Sequence, residues 1–418
     1  MDQPGDIKPR PAGGRGWRGR LAGPRAGAAL AVAAAIVGVA AFALIGAMPG
    51  PPGQGSASPG PAASPSPVPV LSPSPPPGPT SPTSTPSPTA PAPATSLVPD
   101  PLTGLPVTPA QARLPVIAVM VDDHSAARPQ AGFNAAAVVW QAPAEGGIPR
   151  YMMLFHATVP AMVGPVRSAR EYFVEWAAEW RAMYTHAGGS PQALQTLRTR
   201  GRGIWVWNAD EFAWGSYFRR VDFNVPPHNL YTDGTNLEAL AGRLGVAAPP
   251  AKAYWRFRSD APVEARPIGG SLTVSYPTET ITYRYDWQTN TYRRYIGGSN
   301  VAQVDAADGR VVAPKNVVIL RMAFGPLNDG HPNKNRLEAA NVGRGTAWIS
   351  TNGRTIKGTW KKASVTAPTL LYGPDGKPVT LTAGQTFIEV MQLSDAVSIR
   401  AGRTVVEPPL DSAGLTPR

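Results

Sequence analysis

Residues 27–48, GAALAVAAAIVGVAAFALIGAM, contain no charged or strongly polar side chain. At about 1.5 Å per residue a helix of that length matches a hydrocarbon layer of roughly 30 Å. The stretch reads as a transmembrane signal-anchor, and it constrains where everything after it can fold. Residues 1–26 carry Lys8, Arg10, Arg15, Arg18, Arg20 and Arg25 against Asp2 and Asp6, and the next charge beyond the apolar run is Asp100. Basic flanks stay on the cytoplasmic side, so the arm is expected inside as a disordered segment and the rest of the chain outside, on the extracytoplasmic side of a single-pass cell-membrane protein. The alternative is a signal peptide cleaved near the small residues Ala41 and Ala43, which would release a secreted product.

The 49 prolines and 43 glycines are too many for an evenly folded globule, and the prolines crowd into residues 49–99, as in SPSPPPGPTSPTSTPSPTAPAP. Proline favours polyproline II and denies a backbone donor to helix or sheet, so this Pro/Ser/Thr-rich linker is expected to be a disordered, extended stalk. The chain has no cysteine, which excludes disulfides, thiolate zinc sites, cysteine nucleophiles and lipidation at a cysteine. A net charge of +12 is compatible with nucleic acid, but export and the lack of any finger or aromatic-basic RNA motif argue against that partner. Anionic envelope polymers suit a basic exported protein better.

Order is expected from Asp100. Val116 to Val121 is a short β-branched run ending in Asp122 and Asp123, a buried strand delivering two acids to a loop; AAAVVWQAP and RYMMLFHATV offer two more strands. SAREYFVEWAAEWRAMY has a helical stripe at Tyr172, Phe173, Trp176, Trp180 and Met183, with Ser168 and Glu171 at capping-box spacing. Tyr184 to Ala187 reads as a strand, Gly188-Gly189 as a turn, Ser190 as an N-cap and Pro191 as the first residue of the next helix. Trp205, Trp207, Trp214, Tyr217 and Phe218 are too many for one strand face and are expected in the core, in a groove or in a domain contact. After the proline pair near residues 246–255 the period becomes two: SLTVSYPTETITYRYDWQTNTYRRYIGG folds back at QTN as a hairpin, and ADGR, TNGR and PDGK supply further turns. The expected fold class is α/β (α+β): a layered α/β N-terminal domain over residues 100–245, a β-rich C-terminal domain over 255–405, and a tail over 406–418.

Six blocks in this order resemble the YerB-like family of bacterial exported proteins and lipoproteins, a domain of unknown function with N-terminal and C-terminal parts. They are PLTGLPV (101–107), VIAVMVDDHSAARPQAG (116–132), AEGGIPRYMMLF (144–155), GPVRSAREYF (164–173), THAGGSPQA (185–193) and PPHNLYT (226–232). Weaker similarity continues through GTAWISTNGRTIKGTWKK and LTAGQTFIEV. The resemblance implies the same layered α/β and β-rich order and lends no reaction. Two departures matter. Lipoprotein members carry a lipidated cysteine that this chain lacks, and Asp122-Asp123-His124 stands where Asp-Asn-His is expected.

The polar residues of these blocks are the candidate binding residues: Asp122, Asp123, His124, Glu145, Arg150, Arg167, Arg170, His186, Gly188, Gly189, Ser190, His228 and Asn229. Arg150, Arg167 and Arg170 could fork a carboxylate or phosphate, with unpaired N–H groups near Ser190 as an anion cradle. The competing readings are that the arginines pair with Glu145, Asp122 and Asp123, and that Gly-Gly-Ser-Pro is a well-made junction. No HExxH or HxH spacing supports a metal, no G-x-S-x-G elbow supports a serine nucleophile, and no cofactor is expected. His156 and His331 look unremarkable. We expect an envelope protein that binds an anionic or saccharide component without catalysis. The alternatives are an envelope hydrolase using an Asp/His/Glu site, with Asp122 or Asp123 paired with Glu145 or acting as base or metal ligand, and a scaffold that recruits a cell-wall enzyme as protein partner.

Overall fold

The computed structural model describes residues 96–249 and 253–403. The basic arm, the apolar run expected to span the membrane, nearly all of the expected stalk and the tail lie outside the described residues. Within them no helix is long and apolar enough to cross a membrane.

The first half supplies β1 (Ile117–Asp122), β2 (Val138–Pro143), β3 (Pro149–Phe155), β4 (Met183–His186) and β5 (Trp207–Asp210). Strands β1, β2 and β3 are buried at every residue, as apolar runs covered on both faces must be. The second half supplies β6 (Ser271–Ser275), β7 (Thr280–Asp286), β8 (Thr291–Ile296), β9 (Asn316–Met322), β10 (Gly343–Thr351), β11 (Arg354–Lys362), β12 (Leu370–Tyr372), β13 (Thr386–Gln392) and β14 (Ala396–Arg400). Ten of these strands make one sheet, in the order β12-β11-β10-β9-β13-β2-β3-β1-β4-β5. Strand β13 is parallel to both β9 and β2, so the sheet passes from one half of the chain to the other without a break. The remaining four form a separate antiparallel sheet, β8-β7-β6-β14, whose alternating burial is the period of two visible in the sequence.

Helices α1 (Glu171–Ala178) and α2 (Pro191–Arg200) cover one face of the large sheet, against Ala118, Met120, Trp140 and Met152. Helix α3 (Gly234–Leu244) and the four-stranded sheet cover the other, against Val119, Val121, Tyr151 and Met153. The result is an α+β stack of layers. Helix α2 begins as the junction chemistry requires: the Ser190 hydroxyl accepts from the Ala193 N–H at 3.3 Å and Pro191 is the first helical residue.

Helix α1 departs from expectation at both ends. Its N-cap is Arg170, not Ser168. Residues 167–169 are held extended by two neighbours, Arg167 N–H donating to the Met120 carbonyl and Ala169 N–H to the Gly188 carbonyl, so helical dihedrals start only at Glu171. The Ser168 and Glu171 side chains serve elsewhere, Glu171 accepting from the Thr196 hydroxyl of α2 at 2.7 Å. At the far end Arg181 takes φ +51°, which ends the helical path and turns Met183 from the helical stripe into β4. Val98–Pro99, read as the end of the stalk, pair with Pro106–Val107.

Candidate functional site

Strands β1, β4 and β5 are neighbours and parallel, so Asp122, His186 and Asp210 end at one edge of the sheet. The segment 163–170 crosses that edge, bonded to the end of β1 on one side and to residues 187–190 on the other. Arg150 lies directly across from Asp122 in the β1/β3 register. Side chains alternate between faces along a strand. Asp122 therefore turns to the α1 side, and Asp123, one residue on, turns to the small-sheet side. The two acids belong to different clusters.

On the α1 side, Asp122 Oδ2 is 2.8 Å from Arg167 Nε and 2.7 Å from His228 Nδ1, and Asp122 Oδ1 accepts the His124 N–H at 3.1 Å. Burial works to raise the Asp122 carboxyl, but the Arg167 charge, the His124 N–H and His228 outweigh it and hold it below its usual value. The His124 and His228 rings stack with centroids 5.0 Å apart. Arg170 engages both oxygens of Glu145, whose carboxyl burial would raise but which Arg170 and Arg150 hold below its usual range. Gly146 and Gly147, at φ +66° and +76°, make the tight turn that brings Glu145 back beside β3.

Arg150 is different. It donates to the Ser168 carbonyl at 3.0 Å and hydroxyl at 3.2 Å, and among the described residues it makes no ion pair. It is buried, its Nε has no partner, and burial together with the neighbouring Arg170 charge pushes its guanidinium down to about 10. Three guanidiniums thus meet two carboxylates. Arg167 and Arg170 have each found a counter-charge in the protein; Arg150 is left over.

The Gly188-Gly189 turn is a junction already occupied by its own chain. The Gly188 N–H donates to Asp210 at 3.0 Å, the Ser190 N–H to the Ala169 carbonyl at 3.2 Å, and the Ser190 hydroxyl is the cap. Buried His186 sits behind the turn, its ring nitrogens 2.7 Å from the Gly188 carbonyl and 2.7 Å from Asn208 Oδ1. Asn229 faces away, donating to the Val221 carbonyl and accepting from Arg220. Trp205, Trp207, Trp214, Tyr217 and Phe218 are half-buried against the two cores, and among the described residues the most exposed aromatic is Phe212, at 81 %. Among the described residues no group of three or more His, Asp or Glu side chains is arranged to hold a metal.

On the small-sheet side lies a cluster in which sequence reading found only Asp123. Arg294, fully buried on β8, donates to Gln141 Oε1 at 2.6 Å and to the Tyr151 hydroxyl at 2.9 Å. Glu389 accepts from Tyr276 at 2.8 Å and Tyr283 at 2.5 Å, and Asp123 accepts from Gln141 at 2.5 Å. Burial pushes Asp123 up to about 7 against the pull of Arg294, and pushes Glu389 up as well. Arg128 closes the rim on Glu279. The signal for these residues was a charge inside an otherwise apolar strand: Arg294 in TYRRYI and Glu389 in TFIEVMQ, where a charge costs too much unless it is paired. His156, read as unremarkable, is buried 2.6 Å from Asp100 and ties the start of the folded chain to the end of β3.

This is a two-part α+β protein built on one shared sheet, with a polar cluster on each face. The model of the N-terminal domain of a protein of unknown function, DUF3048, matches residues 102–247, and that of the C-terminal domain matches residues 272–388. The chain is 32% identical over 311 residues to the Bacillus subtilis (strain 168) protein "Putative lipoprotein YerB", an alignment spanning 73% of this chain and 89% of that one. The crystal structure of YerB protein from Bacillus subtilis superposes with a TM-score of 0.62 at 27% identity, covering 71% of this chain and 98% of that one. The chain belongs to the YerB-like family, as the six sequence blocks implied.

Proposed function

We propose that this chain is an extracytoplasmic envelope protein, held at the membrane by residues 27–48, that binds an anionic envelope component at the Arg150–Arg167–Arg170 edge and catalyses no reaction. A relative named as a lipoprotein and the apolar run both support the location. The observation that carries the ligand class is Arg150: a buried guanidinium beside Arg170, with an unpartnered Nε and no carboxylate of its own. A buried cation of this kind is stabilised by an incoming carboxylate or phosphate that completes its fork. A sugar acid or phosphate of a wall polymer has that chemistry. Against the hydrolase reading, Asp122 and Glu145 are each engaged by an arginine, Arg167 and Arg170, and both carboxyls are held below their usual values, which does not favour either as a general acid.

Calorimetric titration of the full-length protein in detergent with inorganic phosphate and with a carboxylated muropeptide tests this. Binding that weakens at least tenfold in Arg150→Met, and weakens with salt, is the expected result. No binding of either probe, or binding untouched by Arg150→Met, overturns the anion reading. Release of a cleaved product overturns the non-catalytic one.

A further inference from the structure

Away from both polar clusters, a cavity of about 430 Å³ opens between the four-stranded sheet and the β10–β11 turn. Leu272, Tyr285, Ile356 and Ile399 give it an apolar lining. Glycines let the backbones around it approach closely: a Cβ on Gly353 would meet the Tyr285 ring at 2.3 Å, and one on Gly270 the Gly402 nitrogen at 2.9 Å. The volume falls in the range of small-molecule sites, roughly 300–1,000 Å³. A cavity of about 150 Å³ already admits benzene, so this one has room for a ring and its substituents.

Its polar groups share one sign. Arg354 and Arg400, both exposed, are among the lining residues, and neither forms an ion pair within the described residues. The acids nearest the Tyr285 ring are already committed, Asp260 to Lys315 and Arg266, and Asp286 to Arg293.

We infer that this cavity is a second binding site, separate from the Arg150 edge, for a small molecule with a six-membered ring and a carboxylate. The ring packs on the aliphatic and tyrosyl lining, and the carboxylate meets Arg354 and Arg400. A sugar acid and an aromatic acid both have this chemistry, and the probes separate them.

Full-length protein is titrated with 4-hydroxybenzoate, with glucuronate, and with the uncharged amide of each, by ligand-observed NMR and calorimetry. At least one acid binds with a submillimolar Kd, tenfold or more tighter than its amide. That affinity falls at least tenfold in Arg354→Ala/Arg400→Ala at an unchanged Tm, and is lost in Ile356→Trp, which fills the cavity. The charge-keeping pair Arg354→Lys/Arg400→Lys retains most of it if the arginine variant proves unstable. Arg150→Met leaves it intact, so this site and the Arg150 edge fail or succeed separately. The inference is overturned if neither acid binds, if the amides bind as well as the acids, or if the arginine and cavity-filling variants bind like the parent.

Discussion

Asp122 and Asp123 are adjacent in the chain and behave as opposites. Asp122 sits among Arg167, His124 and His228 near the surface and is held below its usual carboxyl value. Asp123, one residue past the end of that strand, is sealed between two sheets and raised to about 7. The alternation of a β-strand separates them, and the two environments then decide their chemistry. At the sheet edge, charges are offset one for one by partners that solvent partly reaches, with Arg150 in excess. Between the sheets, a single fully buried arginine serves two carboxyls, and protonation makes up the balance.

The largest effect is expected from removing the fully buried cation of the inner cluster. Arg294→Met leaves Gln141 and the Tyr151 and Tyr283 hydroxyls without their buried donor and removes the positive charge that acts on Asp123 and Glu389. Deleting one member of a buried charge network costs about 3–5 kcal/mol. Urea unfolding should show a loss of that size at pH 7, part of it recovered when Asp123→Asn and Glu389→Gln are added. A loss below about 1 kcal/mol, the level of an exposed pair, would mean that the inner cluster is no more demanding than the outer one.

Next in size is a pH effect of defined sign. Asp123 titrates near 3.8 when unfolded and near 7 when folded, so between those values the folded state holds more protons than the unfolded one. Stability contributed by this group falls as pH rises from about 4 to about 7 and is level above that. Asp122 has the reverse sign: its lowered value adds stability that is present above 3.8 and lost only as pH falls below it. Asp123→Asn should match the parent near pH 4 and exceed it near pH 7 by on the order of 3 kcal/mol, as thermal melts across that range would show. An unchanged slope between pH 4 and 7 would place the proton elsewhere. Asparagine is also the residue that the family resemblance expects at position 123, and a carboxyl kept neutral is its nearest equivalent in shape and charge.

These two clusters also show what was legible in the sequence. The strands up to β3, the Ser190-Pro191 helix start and the hairpins of the second half follow from local patterns, because burial on two faces, capping and tight turns each need particular residues within a few positions. The joining of both halves into one sheet does not, because β13 inserts beside β2 from nearly 250 residues away and no local pattern encodes a partner. Ser168 illustrates the same limit. Its spacing to Glu171 is that of a capping box, yet pairing of residues 167–169 with β1 and with the turn after β4 overrides it. The outer cluster was found because its residues sit at strand ends and turns, where polar residues stand out. The inner one was missed because Arg294 and Glu389 lie within strands, and their partners come from β1, β2, β3, β7 and β8 at once.

The smallest effect is expected where the outer cluster is most open to water. Arg167 is 28% exposed and pairs with an Asp122 that keeps His228 and the His124 N–H as partners when Arg167 is removed. Exposed or half-exposed pairs contribute about 0–1 kcal/mol, so Arg167→Ala should lower stability by no more than about 1 kcal/mol, and by less still at high salt. In acid, the loss of stability due to Asp122 should be smaller in this variant, because the charge that held its carboxyl down is gone while the onset, set by the unfolded value, stays near 3.8. The same substitution removes one arm of the arginine fork, so phosphate or muropeptide affinity should drop severalfold while folding is nearly unaffected. A stability loss as large as that of Arg294→Met would show that Arg167 is part of the framework, and the contrast between an open edge and a sealed seam would have to be redrawn around Arg150 alone.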